Sequence, residues 1–387
     1  MNRNRNVYLL CIIVFLQGLV FYGPVATLFR QSRGLSLNDI FILETIFIIL
    51  MFVFEIPWGY IADKIGYKKT LVISFFLFFL SKIIFYYSNS FSMFLLESIV
   101  VAMSISGITG CDSALIYTSV DVEDSDKAFS YYSASATSGF LVASLMNSII
   151  VKYSLDLTAF YTIFPYGLAF VLSLFLVDAD EYEYENERKA SLLDSFKSLL
   201  SNKWIFTFIV SLALIGESTH AMCVFLNQPI YLRSGIDIKY FGLLTAAMQI
   251  ACLMSARAYK MNEKIGTKRL YIILICMILG ANLLLIYLKN KILVVAMIFV
   301  IEGAFAITQP LSNTIQNKSI ITTNRATLLS AYAMIGDMIG GFSNLVIGKA
   351  SDISLETAIG TCVALNIIAL ILMLIFFLKK RNCLTNK

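Results

Sequence analysis

The chain reads as an all-α membrane protein, with about twelve transmembrane helices in two six-helix bundles. Three observations carry that reading. Of its 387 residues, 58% are hydrophobic and only 14% charged, with a mean hydropathy of +0.79, where a soluble domain carries about 25% charge. The apolar residues fall in runs of roughly 18–25, the length a helix needs to cross about 30 Å of hydrocarbon. The second half of the chain also repeats a loop of the first. Period-two alternation is missing from the runs, which argues against a β-barrel.

The spans fall at 7–29, 39–61, 70–88, 91–118, 129–151 and 157–177, then at 204–232, 239–259, 270–288, 292–315, 327–348 and 355–378. The first could pass for a signal peptide behind Arg3 and Arg5. It is too long, lacks a small-residue cleavage site and leads into further spans, so it reads as a membrane helix. The longest polar stretch opens DADEYEYENERK. It divides the chain into a bundle over 1–178, a linker over 179–203 and a bundle over 204–387. The end of the linker, LLDSFKSLLSNK, has the spacing of a helix lying on the membrane surface.

The net charge of +5 matters less than its placement. With the N-terminus inside, twenty of the 30 Lys and Arg residues fall in cytoplasmic segments and eight in outer ones; Lys82 and Arg257 lie within spans. This asymmetry predicts that both termini face the cytoplasm, and it is a topology signal, not a nucleic-acid-binding one. The seven cysteines are scattered without a CxxC pair, and there is one histidine. No disulfide framework, metal centre or other cofactor is expected. No G-x-x-x-x-G-K-S/T loop is present, so direct drive by ATP is not indicated.

The repeat is specific. Lys64-Ile65-Gly66-Tyr67-Lys68-Lys69 joins spans two and three, and Lys264-Ile265-Gly266-Thr267-Lys268-Arg269 joins spans eight and nine. The matched positions imply duplication. Repeated membrane folds place their substrate site near the bilayer midplane, at the interface of the halves.

Charge inside a span costs at least about 2.5–3.5 kcal/mol at the bilayer centre, so such residues face protein or water and serve a purpose. The candidates are Glu44, Glu55, Glu97, Asp112, Glu217, His220, Glu302 and Asp337. Glu217 and His220 share a helix face at i,i+3. A desolvated carboxylate suits proton binding and release. The alternative is structural: some of these acids pair with Lys82 or Arg257. Pro24, Pro229 and Pro310 should kink spans one, seven and ten.

The segment Gly59-Tyr60-Ile61-Ala62-Asp63-Lys64-Ile65-Gly66-Tyr67-Lys68-Lys69-Thr70-Leu71 resembles the signature loop of the major facilitator superfamily, roughly G-x-L-A-D-R/K-x-G-R-K-x-x-L. Gly59, Ala62, Asp63, Lys64, Gly66, Lys68 and Leu71 match; Tyr67 stands where the pattern has arginine. Gly59 should permit close helix packing and Gly66 a tight turn. The resemblance implies a cytoplasmic gate in which Asp63 pairs with basic residues and a neighbouring helix end, with Lys64, Lys68 and Lys69 beside it. Topology alone would also explain those lysines. Arg325, opening span eleven, could cap such a gate or simply snorkel.

The resemblance further implies that spans one, four, seven and ten line a central cavity. That puts Asp112, Glu217, His220 and Glu302 on lining helices, with Asp337 a further candidate. Phe15, Phe21, Tyr22 and Tyr117 lie on the same helices, as do Gln17, Asn227, Gln228, Gln309 and Asn313. An aromatic, acidic cavity suits amphipathic or cationic solutes. The implied function is secondary transport: proton-coupled export of a small amphipathic compound by a monomer in the plasma membrane, or else nutrient uptake by symport. Twelve-span drug/proton antiporters often carry a glycine-rich signature ending in Gly-Pro in helix five. Here span five has one glycine, Gly139, and no proline. An integral-membrane enzyme is disfavoured, because the single histidine lies mid-span and the loops are short.

Overall fold

The computed structural model describes residues 3–177, 203–320 and 325–385. Among them no strand occurs, and eleven helices are long and apolar enough to cross a membrane. In chain order these are α1 (Arg5–Ser32), α2 (Leu37–Ile65), α3 (Tyr67–Tyr87), α4 (Phe91–Thr118), α5 (Ser125–Ile150), α6 (Leu155–Ser173), α7 (Lys203–Arg233), α8 (Ile238–Ile265), α9 (Thr267–Tyr287), α10 (Lys291–Ser319) and α12 (Leu355–Leu378). Between the last two, α11 (Arg325–Ser351) is a full-length helix. Its lower apolarity follows from Asp337, Lys349 and the glycines at 336, 340, 341 and 348. The expected linker over 179–203 lies outside the described residues but for its last, Lys203.

The chain divides into two compact units, Met1–Tyr184 with Asp237–Ala246, and Glu185–Ile236 with Ala247–Lys387. In the first unit α1 packs on α5 and α6, α2 on α4, and α3 on α4 and α6. Lipid is as apolar as leucine, so fit between helices matters more here than the hydrophobic effect. The α1–α5 contact shows this. A Cβ at Gly139 would collide with the carbonyl of Phe15, and one at Gly18 would sit 2.6 Å from the carbonyl of Ala136. The single glycine of α5 is where α1 crosses it. Leu10, Ile13, Leu71, Phe75, Ile108 and Leu115 form the buried apolar core of this unit. The 237–246 segment joins the same unit, where Leu243 N–H donates to Ser148 Oγ (2.9 Å).

Spans in both units are interrupted. In α1 the helix stops at Gly18 and resumes at Ala26 after a 3₁₀ turn that holds Pro24. The freed backbone is paired from other helices: Phe21 N–H donates to Thr162 Oγ1 (3.0 Å), and Asn147 Nδ2 donates to the Phe21 carbonyl (2.7 Å). Such pairing is what permits irregular backbone at membrane depth. In α4 the break is at Thr109–Gly110, with Gly110 at φ +87°. In α7 a π-helical stretch, Ala221–Leu226, precedes Pro229, and π-bulges are frequent at functional sites. In α8 a tighter 3₁₀ stretch runs over Leu253–Arg257. Pro310 instead lies within the continuous helix α10.

In the second unit α7 packs on α11 and α12, and α9 on α10 and α12. Trp204, Phe208 and Phe376 stack at the α7–α12 contact, with centroids 4.5 and 4.7 Å apart. The repeat is visible in each unit's own geometry. Gly66 (φ +87°) and Gly266 (φ +83°) each end one helix and open the next, a 21-residue helix in both cases. Gly66 N–H donates to the Ala62 carbonyl at 3.0 Å, and Gly266 N–H to that of Asn262 at 2.9 Å. The structure adds a second echo. Arg33 pairs with Asp156 and Arg233 with Glu356, both at 2.9 Å, each joining the loop after its unit's first helix, or that helix's end, to the first turn of its sixth.

Candidate functional site

Glu217 and His220 meet in the second unit as their spacing predicts. His220 Nδ1 lies 3.5 Å from Glu217 Oε1, a charge contact longer than a good hydrogen bond. Glu217 is nearly buried and Oε1 has no hydrogen-bond partner. Against its other oxygen stands Gly340 of α11, where a Cβ would come within 2.8 Å. Ser218, the next residue, accepts from Asn366 Nδ2 (2.7 Å) and ties this stretch of α7 to α12. The imidazole also packs edge-on against Phe225 in the π-helical stretch.

Glu302 of α10 is set differently. Cys252 Sγ approaches its Oε1 at 3.4 Å, and Cys223 of the π-helical stretch lies within electrostatic reach of the same carboxylate. The chain neighbourhoods of the two acids touch, since Phe305 packs on Gly216. Asp337 is exposed on α11, one turn before Gly340. Neither thiol was foreseen from sequence. Each lies far from Glu302 along the chain, and an isolated cysteine in an apolar run carries no signal.

In the first unit Asp112 opens the second segment of α4, just after the Gly110 break. Tyr132 Oη donates to Asp112 Oδ2 (2.8 Å), and Asp112 Oδ1 accepts from the N–H of Ser113. Near this pair α1 and α5 border a cavity of about 460 Å³, lined by Tyr8, Cys11, Lys127, Tyr131 and Ser135. The other expected liners differ in burial. Phe21 and Tyr22 are buried, because the α1 break turns them into the helix packing, and Lys82 Nζ donates to Tyr22 Oη (3.0 Å). Tyr117, Gln309 and Asn313 are exposed, whereas Asn227 and Gln228 are buried.

Of the signature loop, Gly66 makes the tight turn expected of it. At Gly59 no atom of a neighbouring helix of its own unit lies within 4 Å of a Cβ built there. Asp63 and Lys64 are exposed, and Asp63 makes no ion pair with a described residue. Asp63 lies within electrostatic reach of Cys111, at the start of the second α4 segment. Lys64 Nζ sits over the Tyr60 ring at 4.5 Å, and Lys68 and Lys69 continue the basic loop. The side chain of Arg325 lies outside the described residues. Among the described residues no cluster of His, Cys, Asp or Glu could hold a metal ion.

Twelve membrane-length helices in two units with a shared internal loop define a polytopic transporter fold. The sequence profile of the Major Facilitator Superfamily matches residues 8–344, and the chain belongs to that family. This is a family of transporters, not of enzymes. Among relatives, the chain is 23% identical over 358 residues to Multidrug resistance protein 2 of Bacillus subtilis, covering 88% of each chain. It is 25% identical over 179 residues to the quinolone resistance protein NorA of Staphylococcus aureus, a match spanning 45% of either. In structure it is similar to the nucleoside transporter NupG, at a TM-score of 0.80 and 16% identity over 97% of this chain and 98% of that one. A D-xylose-proton symporter matches at 0.70 and 14% identity over 95% of each.

Proposed function

We propose that this protein is a proton-coupled exporter of a small amphipathic compound, a drug, toxin or metabolite, working by alternating access as a monomer in the plasma membrane with both termini cytoplasmic. The observation that carries the coupling is Glu217. A nearly buried mid-span carboxylate keeps one oxygen unbonded beside an imidazole. Ionisable groups at that depth are rare and mark proton or ion pathways. Glu302 with its two thiols and Asp112 with Tyr132 are the other proton or substrate groups in this reading, and His220 and Asp337 stand beside them. Asp63, Lys64, Lys68, Lys69 and Arg325 belong to the gate.

The resistance proteins among the relatives support export. Uptake by symport is the second reading, favoured by the similarity to a proton symporter for a sugar. Direction is tested in everted membrane vesicles equilibrated on both sides with an amphipathic fluorescent cation. For the exporter, a proton gradient acid inside drives dye into the vesicle, and Glu217→Gln with Glu302→Gln abolishes that flux. Unchanged flux in the double variant overturns the coupling assignment. Movement down the proton gradient, together with the protons, would make it a symporter.

A further inference from the structure

The buried charges not used above lie in the first unit. Lys82 of α3 and Glu97 of α4 are 5% and 4% exposed, and they are the only charged residues among the buried ones described. Both line a cavity of about 160 Å³ between α1, α2, α3 and α4. Arg30 and Glu44 share its wall.

Several features set it apart from an ordinary internal ion pair. Lys82 and Glu97 face the same space, yet no nitrogen–oxygen contact within 4 Å joins them. The Glu97 carboxylate accepts no hydrogen bond from a described residue, although Lys82 and Arg30 both act on it electrostatically. Arg30 Nε is buried without a partner. Both cations are braced by rings: Lys82 by Phe78 (4.8 Å) and Tyr166 (5.0 Å), Arg30 by Phe85 (5.5 Å). Lys82 has one hydrogen bond, to Tyr22, of the three an ammonium can donate. Buried charges are costly unless paired and hydrogen-bonded. Here Lys82 and Glu97 are held apart, with two Lys82 donors and Arg30 Nε unspent.

We propose that this cavity is a binding site for a small zwitterion of the α-amino acid class. The ligand's carboxylate meets Arg30 and Lys82, its ammonium meets Glu97, and a short aliphatic side chain lies on Leu43 and Val101. A ligand carrying both signs satisfies both walls at once. A simple anion leaves Glu97 opposed to it, and a simple cation faces Lys82. The volume suits a molecule the size of alanine or a cluster of waters. The proposal does not depend on the roles of Glu217 and Glu302, which belong to the other unit.

The test is equilibrium dialysis of the purified full-length protein in detergent with radiolabelled alanine, N-acetylalanine and alaninamide. Alanine is expected to bind saturably, and the two single-charge analogues about 10- to 100-fold more weakly, the worth of one charged hydrogen-bonding partner. Glu97→Gln and Lys82→Met should each lose alanine binding. If either fails to fold, the analogue series in the unaltered protein decides alone. Absence of saturable alanine binding overturns the proposal and leaves a water-filled cavity. Equal binding of alanine and N-acetylalanine also overturns it, in favour of an anion site.

Discussion

Arg33 and Arg233 occupy matching places in the repeat, yet they are bound unequally. Arg33 reaches a half-exposed Asp156 and packs over Phe29 at 5.1 Å. Arg233 is less exposed, at 16% against 26%, and also donates to the carbonyls of Leu285 and Ile286 at the end of α9. Exposed ion pairs contribute about 0–1 kcal/mol, whereas hydrogen bonds to a charged group contribute about 1.5–3. Arg233→Ala is therefore expected to lower the thermal midpoint in detergent clearly more than Arg33→Ala. Equal shifts would mean the carbonyl contacts add nothing. Asp237 offers a pH test. Hydrogen bonds from the Lys239 ammonium and backbone N–H hold its carboxyl below the usual range. A lowered carboxylate value adds stability above the unfolded pKa, and that stability is lost as pH falls through the folded one. The midpoint difference between the parent and Asp237→Asn should be small and constant near neutrality, shrink once pH falls below about 4 and vanish only below the lowered folded value. A difference that persists in acid would mean that the carboxylate's charge is not its source.

At the scale of the element, the breaks decide where functional groups stand. Hydropathy made the twelve spans legible, because a membrane helix must be long and apolar. It could not show where a helix stops midway. The α1 break depends on Asn147 and Thr162, more than a hundred residues away, and the α4 break on Gly110 adopting a positive φ. Mid-span acids were legible for a related reason: charge in hydrocarbon is rare enough to stand out. Their partners Tyr132, Cys223 and Cys252 were not, since phenols and thiols are ordinary in an apolar run. Close helix crossings were legible only in kind. Gly59 read as a packing glycine, yet within its own unit it meets no close neighbour, whereas Gly139 lies against the Phe15 carbonyl of α1. Gly139→Leu is expected to cost several kcal/mol by driving α1 from α5, with loss of monodisperse protein, and Gly59→Ala to be near neutral. A well-behaved Gly139→Leu protein would contradict the described crossing. Gly66→Ala and Gly266→Ala should each cost about 1–3 kcal/mol, because both turns combine a positive φ with a ψ of about +150°, a region essentially reserved for glycine. Markedly different costs would argue against equivalent turns.

At the scale of the whole molecule, the two units share loop geometry, helix lengths and terminal arginine pairs, but not their buried charges. Lys82 of the first unit corresponds to Asn282 of the second, a buried amide with both polar atoms unpaired. Divergence within a common frame suits a transporter whose halves handle different species, with the proposed proton chemistry at Glu217 and Glu302 in the second unit and a charge-lined cavity in the first. The central claim is that substrate and proton compete through those two carboxylates. Proton release on adding substrate to the purified protein, followed with a pH-sensitive dye in weak buffer, tests it most directly. The account predicts release from the unaltered protein and none from Glu217→Gln/Glu302→Gln, with substrate binding retained. Substrate binding without proton release, or undiminished release from the double variant, would contradict it.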